Sequence, residues 1–155
     1  LATVRRVPNE PGMAAKVFTL LAEAGVNVDM IVQASASTGT ADISFTVPGS
    51  AAAKVRDVLQ EKQDELGYQS FDIDANVGKV AVVGVGMKTH SGLAAKFFNA
   101  LSDKGVNVLM ISTSEIRIAA LVPLEQLQDA VRALHTAYGL DAEQVEAVVY
   151  GGTGR

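Results

Sequence analysis

Hydrophobic and polar positions along the chain follow the same order twice. Between residues 12 and 31, apolar residues recur at helical spacing, Gly25 stops the helix, and a β-rich run follows. Residues 92–111 repeat this order eighty positions later, with twelve of the twenty residues identical. A repeat of this kind predicts two copies of one structural unit that contains a loop, a helix, a turn and a strand.

The pattern around each repeated segment predicts the remaining elements. In the first half, a strand at 3–7 is predicted before the repeated helix, which runs to about Ala24. Strands at 28–36 and 41–47, joined by a hairpin, are predicted after it. A helix that is N-capped by Ser50 and ended by Gly67, and then a strand at 68–74, complete this half. The second half is predicted to contain a central, doubly covered strand at 79–85, the repeated helix, strands at 108–114 and 116–122, a helix between Pro123 and Gly139, and a strand at 145–150.

Two consecutive βαββαβ patterns predict an α+β protein with two tandem ferredoxin-like domains, at residues 1–76 and 77–155. Each domain should have an antiparallel sheet with both helices on one face. The edges of such sheets stay open, so we expect the sheets to extend side by side, either within the chain or between chains.

Composition narrows the class of protein. The chain has 155 residues, 48% of them hydrophobic, and no apolar run long enough to span a membrane, which is typical of a soluble globular protein. A net charge of −4 with scattered basic residues argues against nucleic-acid and membrane partners. The absence of cysteine excludes disulfides and thiolate metal sites. No leader-like segment precedes the first strand, so we expect a cytoplasmic location.

No motif indicates catalysis, a metal or a cofactor. The run Gly84-Val85-Gly86 lacks the third glycine of a dinucleotide fingerprint, and His90 and His135 have no partner at metal-ligand spacing. Residues 112–115 are rich in hydroxyl groups but lack a nucleophile elbow. Polar strand positions and surface or cap histidines are the simpler interpretation, and we expect this chain alone to be non-catalytic.

The repeated helix start predicts a site for a free amino acid. Unpaired N–H groups at a helix N-terminus favour an anion, so we expect the backbone of Gly12, Met13 and Ala14 to bind a carboxylate. Because the next strand follows the same helix, Asn27 and Asp29 are expected near this loop, with Gln33 further along.

The two copies differ at one informative position. Asp29 can bind an ammonium group, whereas Leu109 at the same place in the second copy cannot; the alternative is that Asp29 is a solvated strand residue. Asn107, Val108 and Ile111 of the second copy are expected to form the facing wall if the copies meet edge to edge. A ligand that binds only the paired arrangement would then couple binding to assembly.

The residues also resemble a known family. Asn9-Glu10-Pro11-Gly12, the following helix and residues 26–31 are similar to the effector-binding loop and helix of an ACT domain. Residues 78–80, 83–88 and 111–118 resemble the C-terminal regulatory part of aspartate kinases, so that the resemblance covers essentially the whole chain. The resemblance adds Asn9, Pro11 and Val28 to the residues expected at the effector site.

The resemblance implies a separate regulatory β subunit of an α2β2 aspartate kinase. Such a chain dimerises through its ACT domains, contacts a catalytic α subunit, and binds threonine, or threonine together with lysine, for feedback inhibition. Asn9 stands where the family often has Asp, and Thr89 and Ser91 stand where it often has Ser and Pro, so effector binding by the second-copy loop is in doubt. An ACT-type sensor of another enzyme, such as the small subunit of acetolactate synthase, is the alternative, and an enzyme in its own right is a third.

Overall fold

The computed structural model describes residues 1–84, 92–114 and 116–138, and the backbone of 144–149. Backbone contacts divide the chain into two compact units, residues 1–75 and 76–149. Each unit contains a four-stranded antiparallel sheet and helices, so the predicted α+β class with two ferredoxin-like units is confirmed. None of the helices in the described ranges has the length and apolar character needed to cross a bilayer.

The first unit has the strand order β2-β3-β1-β4. Its elements are β1 (Ala2–Pro8), α1 (Met13–Glu23), β2 (Ile31–Ser35), β3 (Thr40–Phe45), α2 (Ala52–Glu61), α3 (Gln63–Leu66) and β4 (Ser70–Ile73). Burial alternates along β3, where Ala41, Ile43 and Phe45 are buried. Val17 and Leu21 of α1 and Val55 and Leu59 of α2 belong to the same core, so both helices cover one face of the sheet.

The second unit repeats this order as β6-β7-β5-β8. Its elements are β5 (Val77–Val83), α4 (Leu93–Asp103), β6 (Met110–Thr113), β7 (Arg117–Pro123), α5 (Leu127–Tyr138) and β8 (Gln144–Val149). The prediction of a central, doubly covered strand is confirmed, because β5 lies between β7 and β8 and its residues from Val77 to Val82 are all buried. The last strand pairs with β5 of its own unit.

Several predicted boundaries were wrong. The prediction that Ser50 caps a helix fails because Gly49–Ala51 forms a 3-10 turn, after which Ala51 occupies the N-cap position of α2. The single helix predicted here is in fact two helices, α2 and α3, which are separated at Lys62. Gly67 ends α3 with a φ of 68°. Pro123 likewise ends β7, and a 3-10 turn precedes α5. Gly139 lies outside the described residues.

The strand predicted at 28–36 is shorter than expected. β2 begins at Ile31, and the segment before it is attached to the end of β3 by hydrogen bonds to Thr46. The Asp29 N–H donates to the Thr46 carbonyl at 3.0 Å, and the Met30 N–H donates to the Thr46 hydroxyl at 3.0 Å. All five residues of β2 are exposed, which is the state expected of an edge strand.

Candidate ligand-binding site

The loop between β1 and α1 brings the chain from the sheet to a helix start. Gly12 stands at the N-cap of α1 with a φ of 91°, in the left-handed region that favours glycine. The Asn9 N–H donates to the Gly39 carbonyl at 3.0 Å and so ties the loop to the hairpin between β2 and β3. The loop is therefore held from both sides, by the helix and by the hairpin.

A cavity of about 150 Å³ lies at this helix start. Its walls come from β1, the loop, the first turn of α1, and the middle of β2 and β3. The residues that line it are Val7, Pro8, Asn9, Glu10, Gly12, Met13, Ala14, Ala15, Gln33, Ala41 and Ile43. The volume lies well below the roughly 300–1,000 Å³ of sites for drug-sized ligands, so the cavity suits a small metabolite.

Two amide side chains form the polar wall of this cavity. The Gln33 side-chain N–H donates to Asn9 Oδ1 at 3.5 Å, and the Asn9 side-chain N–H donates to Ser35 Oγ at 3.3 Å. Both bonds are long for N–H donors and both are exposed, so they are weak and can be exchanged for bonds to a ligand. Asn9 and Gln33 are thus placed to offer donors and acceptors to the same small molecule.

The start of α1 gives the cavity a wall whose chemistry suits an anion. Amides in the first turn of a helix have no intrahelical acceptor, and the helix dipole places positive potential there. The prediction for Met13 needs correction, because its N–H already donates to the Glu10 carbonyl at 3.2 Å. Ala14, and with it Ala15, which the sequence reasoning missed, line the cavity in this first turn.

The structure does not bring Asn27, Val28 and Asp29 to this cavity. They lie between the end of α1 and the start of β2, where the Asp29 N–H is bonded to Thr46 beyond the end of β3. The nearest wall of the cavity on this strand is Ile43, three positions before Thr46, or roughly 10 Å away at the rise of a β-strand. The expectation that Asn27 and Asp29 lie near the loop of their own copy was therefore wrong.

Other residues at the cavity were missed. Pro11 is exposed and does not line the cavity, whereas Val7 and Pro8 from β1 and Ala41 and Ile43 from β3 do. The sheet register provides the signal that could have found them, since Val7 pairs with Ala41 across the two strands.

The residues predicted from the second copy lie in the second unit between the repeated helix and the edge strand, as residues 27–29 do in the first, or on that edge strand. Asn107 and Val108 precede β6, and Ile111 lies on β6 with 48% of its surface exposed. Gln126 holds this segment with both ends of its amide: its side-chain N–H donates to the Gly105 carbonyl at 3.0 Å, and its Oε1 accepts the Asn107 N–H at 2.9 Å. The residue at the matching place in the first unit is Ala51, which has no amide to offer.

The shifted tyrosine pKa values belong to packing rather than to the cavity. Burial raises the pKa of Tyr68 and of Tyr138, and each hydroxyl donates to a backbone carbonyl, that of Leu59 and that of Leu93 respectively. In the part of the chain that the structure describes, no group of three His, Cys, Asp or Glu could hold a metal ion. The second-copy loop, with Thr89 and Ser91, lies outside the described residues.

Comparison with known proteins gives one family for both units. A family model described as the ACT domain matches the chain twice, at residues 5–63 and 80–138. The aspartokinase of Corynebacterium glutamicum is 46% identical over 155 residues, which cover 99% of this chain and 37% of that protein. The aspartokinase of Mycolicibacterium smegmatis is 44% identical with the same coverage. The chain thus spans well under half the length of these relatives.

Two solved structures of similar length share the fold. A crystal structure of aspartokinase alpha and beta subunits has a TM-score of 0.82 and 43% identity, and the match covers 89% of this chain and 90% of that one. The ligand-free regulatory subunit of aspartate kinase from Thermus thermophilus has a TM-score of 0.81 and 36% identity, with 88% and 90% coverage.

Proposed function

Because this chain belongs to the ACT domain family and contains two tandem copies of the domain, we propose that it is a non-catalytic regulatory subunit of an aspartate kinase. In this role the chain binds threonine, and the binding of threonine inhibits a catalytic α subunit. The observation that carries the proposal is the small cavity at the start of α1, which combines helix-terminal amides with the side chains of Asn9 and Gln33. The similarity to regulatory subunits of aspartate kinase supports the assignment to this enzyme.

The chemistry of the cavity favours a small α-amino acid. The amides of Ala14 and Ala15 suit a carboxylate, and the carbonyl oxygens of Asn9 and Gln33 suit an ammonium group. Ile43 pairs with Gln33 across the sheet, so an apolar contact for a methyl group lies beside an amide that can bond to a hydroxyl group, which suits the side chain of threonine. The volume of about 150 Å³ fits threonine better than lysine, which favours threonine as the ligand of this cavity.

The exposed edge strands favour a site completed by a partner chain. Ile31 on β2 is 52% exposed and Ile111 on β6 is 48% exposed, so each edge offers apolar surface as well as unpaired backbone groups. If β2 of one chain pairs antiparallel with β6 of its partner, the end of β2 that follows Gln33 comes next to the segment before β6. That segment carries Asn107 and Val108, which would close the cavity, so threonine would stabilise the homodimer.

Transmission to the catalytic subunit would use the same interface. A ligand that prefers the paired state typically supplies about 1–3 kcal/mol of coupling, which a change in interface geometry can pass to the α subunit. We expect this assembly in the cytoplasm, where amino acids are made. A sensor of a different enzyme, such as an acetolactate synthase, is less favoured, because the relatives that cover both units are aspartokinases.

Calorimetric titration with threonine, followed by lysine, tests this proposal when sedimentation is measured in parallel. We expect threonine to bind and to raise the dimer fraction, and Gln33→Ala to weaken binding at least about tenfold, as loss of a hydrogen bond to a charged group would. Thr113→Ala changes the corresponding position of β6 and is the matched control. Threonine that neither binds nor changes the mass would overturn the proposal.

The non-catalytic assignment has its own test. The purified chain should show no ATP-dependent phosphorylation of aspartate, whereas the chain added to an α subunit should make that activity sensitive to threonine. Turnover by the chain alone would contradict the assignment.

A further inference from the structure

We propose that Asp42 is a positioning residue for the effector loop: its carboxylate fixes a bulge in β1 and thereby sets the direction in which residues 9–12 leave the sheet. The inference rests on the proposed function in taking threonine as the ligand of the cavity. Asp42 itself does not line the cavity, but its two neighbours, Ala41 and Ile43, do.

The bulge is visible in the pairing of β1 with β3. Val4 pairs with Ile43 and Val7 pairs with Ala41, so three steps along β1 match two steps along β3. One extra residue has therefore been inserted into β1. Arg6, within this insertion, has a φ of 56° and is the only non-glycine residue with a positive φ in the described parts of the chain. Such a conformation is sterically unfavourable for arginine and needs a local contact to hold it.

Asp42 supplies that contact. Its Oδ1 accepts the Arg6 backbone N–H at 2.9 Å, within the normal range for such a bond. A bulge removes an amide from the regular ladder of sheet hydrogen bonds, and the exposed Arg6 N–H bonds to this carboxylate instead of to a strand carbonyl. A carboxylate is a stronger acceptor than a neutral group, which suits it to hold a strained amide in place.

The bulge decides which side chains face the cavity. Strict alternation from Ala2 and Val4 would turn Arg6 toward the core, but the inserted residue leaves Arg6 exposed and buries Val7 instead. Val7 and Pro8 then line the cavity, and the next residue is Asn9, whose side chain meets Gln33. The geometry of the cavity wall thus depends on a residue that the ligand does not touch.

The second copy replaces both partners. Val82 pairs with Ile118 as Val4 pairs with Ile43, so the residue that matches Arg6 is Gly84, and the place that matches Asp42 in the pairing with the edge strand holds Arg117. A strained non-glycine residue and a carboxylate acceptor therefore occur together in the first copy and are exchanged together in the second. Glycine adopts a positive φ without strain, whereas arginine does not. The joint exchange therefore agrees with a role for Asp42 in holding the strained backbone of Arg6.

The test is a double-variant comparison on the whole chain, with threonine affinity measured by calorimetry and unfolding measured in urea. Asp42→Ala should weaken threonine binding at least about tenfold, because it leaves a strained amide without its charged acceptor. Arg6→Gly should bind threonine nearly as the natural chain does, and Arg6→Gly with Asp42→Ala should recover most of the lost affinity. Asp72→Ala is the matched control, because that acid is bonded at 2.7 Å to the Arg5 side chain on the same sheet.

Two results would overturn the inference. One is an Asp42→Ala chain that unfolds more easily but binds threonine with unchanged affinity, since the role would then be only structural. The other is a failure of Arg6→Gly to rescue the affinity. If Asp42→Ala does not fold, the double variant carries the test: it folds and binds threonine if the inference is right, and it does not if the inference is wrong.

A readout without ligand separates this inference from the proposed function. Amide hydrogen exchange at Asn9, whose N–H is bonded to the Gly39 carbonyl, should become faster in Asp42→Ala and return toward the natural rate in the double variant. If the natural chain fails to bind threonine, the proposed function falls while this measurement still decides the role of Asp42. Unchanged exchange at Asn9 in Asp42→Ala would count against the inference whatever the ligand is.

Discussion

The two repeated segments start their helices in the same way and differ in what surrounds those helices. Gly12 and Gly92 have φ values of 91° and 88° and ψ values of −7° and −6°. Each carbonyl accepts an N–H from four residues further on, that of Lys16 or that of Lys96, at 2.9 Å. The backbone of the duplicated helix start was retained, whereas the side chains at the ends of the neighbouring strands were not.

The differences sort the copies into two roles. The first copy has Gln33 beside Asn9 at its cavity, where the second has Thr113 at the position matching Gln33. The second copy has Gln126, which holds the backbone around Asn107, where the first has Ala51. The first copy thus places two amide side chains at a cavity, whereas the second uses an amide side chain to hold a backbone segment.

The largest expected effect concerns the hydrophobic cores of the two units and how much the repeated helix contributes to each. Val17 and Phe97 occupy equivalent, fully buried positions in α1 and α4. Phe97→Ala should lower the free energy of unfolding by about 3–5 kcal/mol, and Val17→Ala by only about 2 kcal/mol, because more apolar volume is removed in the second unit. Urea unfolding measures both. Similar losses of unfolding free energy in the two variants would show that the core of the first unit does not relax into the smaller cavity left by Val17→Ala.

The next effect separates helix geometry from ligand binding. A Cβ at Gly12 or at Gly92 would meet no atom within 4 Å, so alanine there costs about 1–2 kcal/mol through the left-handed backbone alone. Both variants should lose similar stability in urea. Gly12→Ala should in addition weaken threonine binding, because residue 12 lines the cavity. Equal losses of threonine affinity in both variants would show that both helix starts bind the effector.

The fold could be predicted from the sequence because two independent signals agreed. The repeat showed which elements each structural unit contains, and the alternation along residues 40–45 identified the face of β3 that is buried. The bulge at Arg6 could not be predicted, since arginine carries no signal for a positive φ and its acceptor, Asp42, is 36 residues away. Ser50 was a reasonable cap residue, but the 3-10 turn moved the helix start past it.

The misplacement of Asn27 and Asp29 could have been avoided. Helix α1 has eleven residues and is therefore about 16 Å long, so the chain that leaves its end is one helix length away from the loop at its start. Being adjacent in sequence to a helix does not place a residue near both helix ends. The same reasoning places Asn107 and Val108 at the end of α4, one helix length away from the start of that helix.

A smaller effect tests whether Gln126 matters for presenting Asn107. Gln126→Ala removes two hydrogen bonds to the backbone of that segment, and we expect threonine binding to weaken about fivefold, equivalent to about 1 kcal/mol. Calorimetry measures the affinity, and urea unfolding shows whether stability changes with it. Ala51→Gln, the reciprocal change in the first copy, should leave the affinity unchanged. An unchanged affinity in Gln126→Ala would mean that Asn107 and Val108 do not contact the effector.

The smallest expected effect concerns the most visible difference between the copies. Asp29 is exposed and lies roughly 10 Å from the nearest wall of the cavity of its own unit, as judged along the strand from Thr46 to Ile43. Asp29→Leu, which gives the first copy the residue of the second, should therefore change threonine affinity by less than about twofold, as an exposed substitution away from a site does. Leu109→Asp is the reciprocal control. A tenfold loss in Asp29→Leu alone would instead place this carboxylate against a ligand held by another ACT domain of the assembly, and the difference between the copies would then lie in the binding site itself.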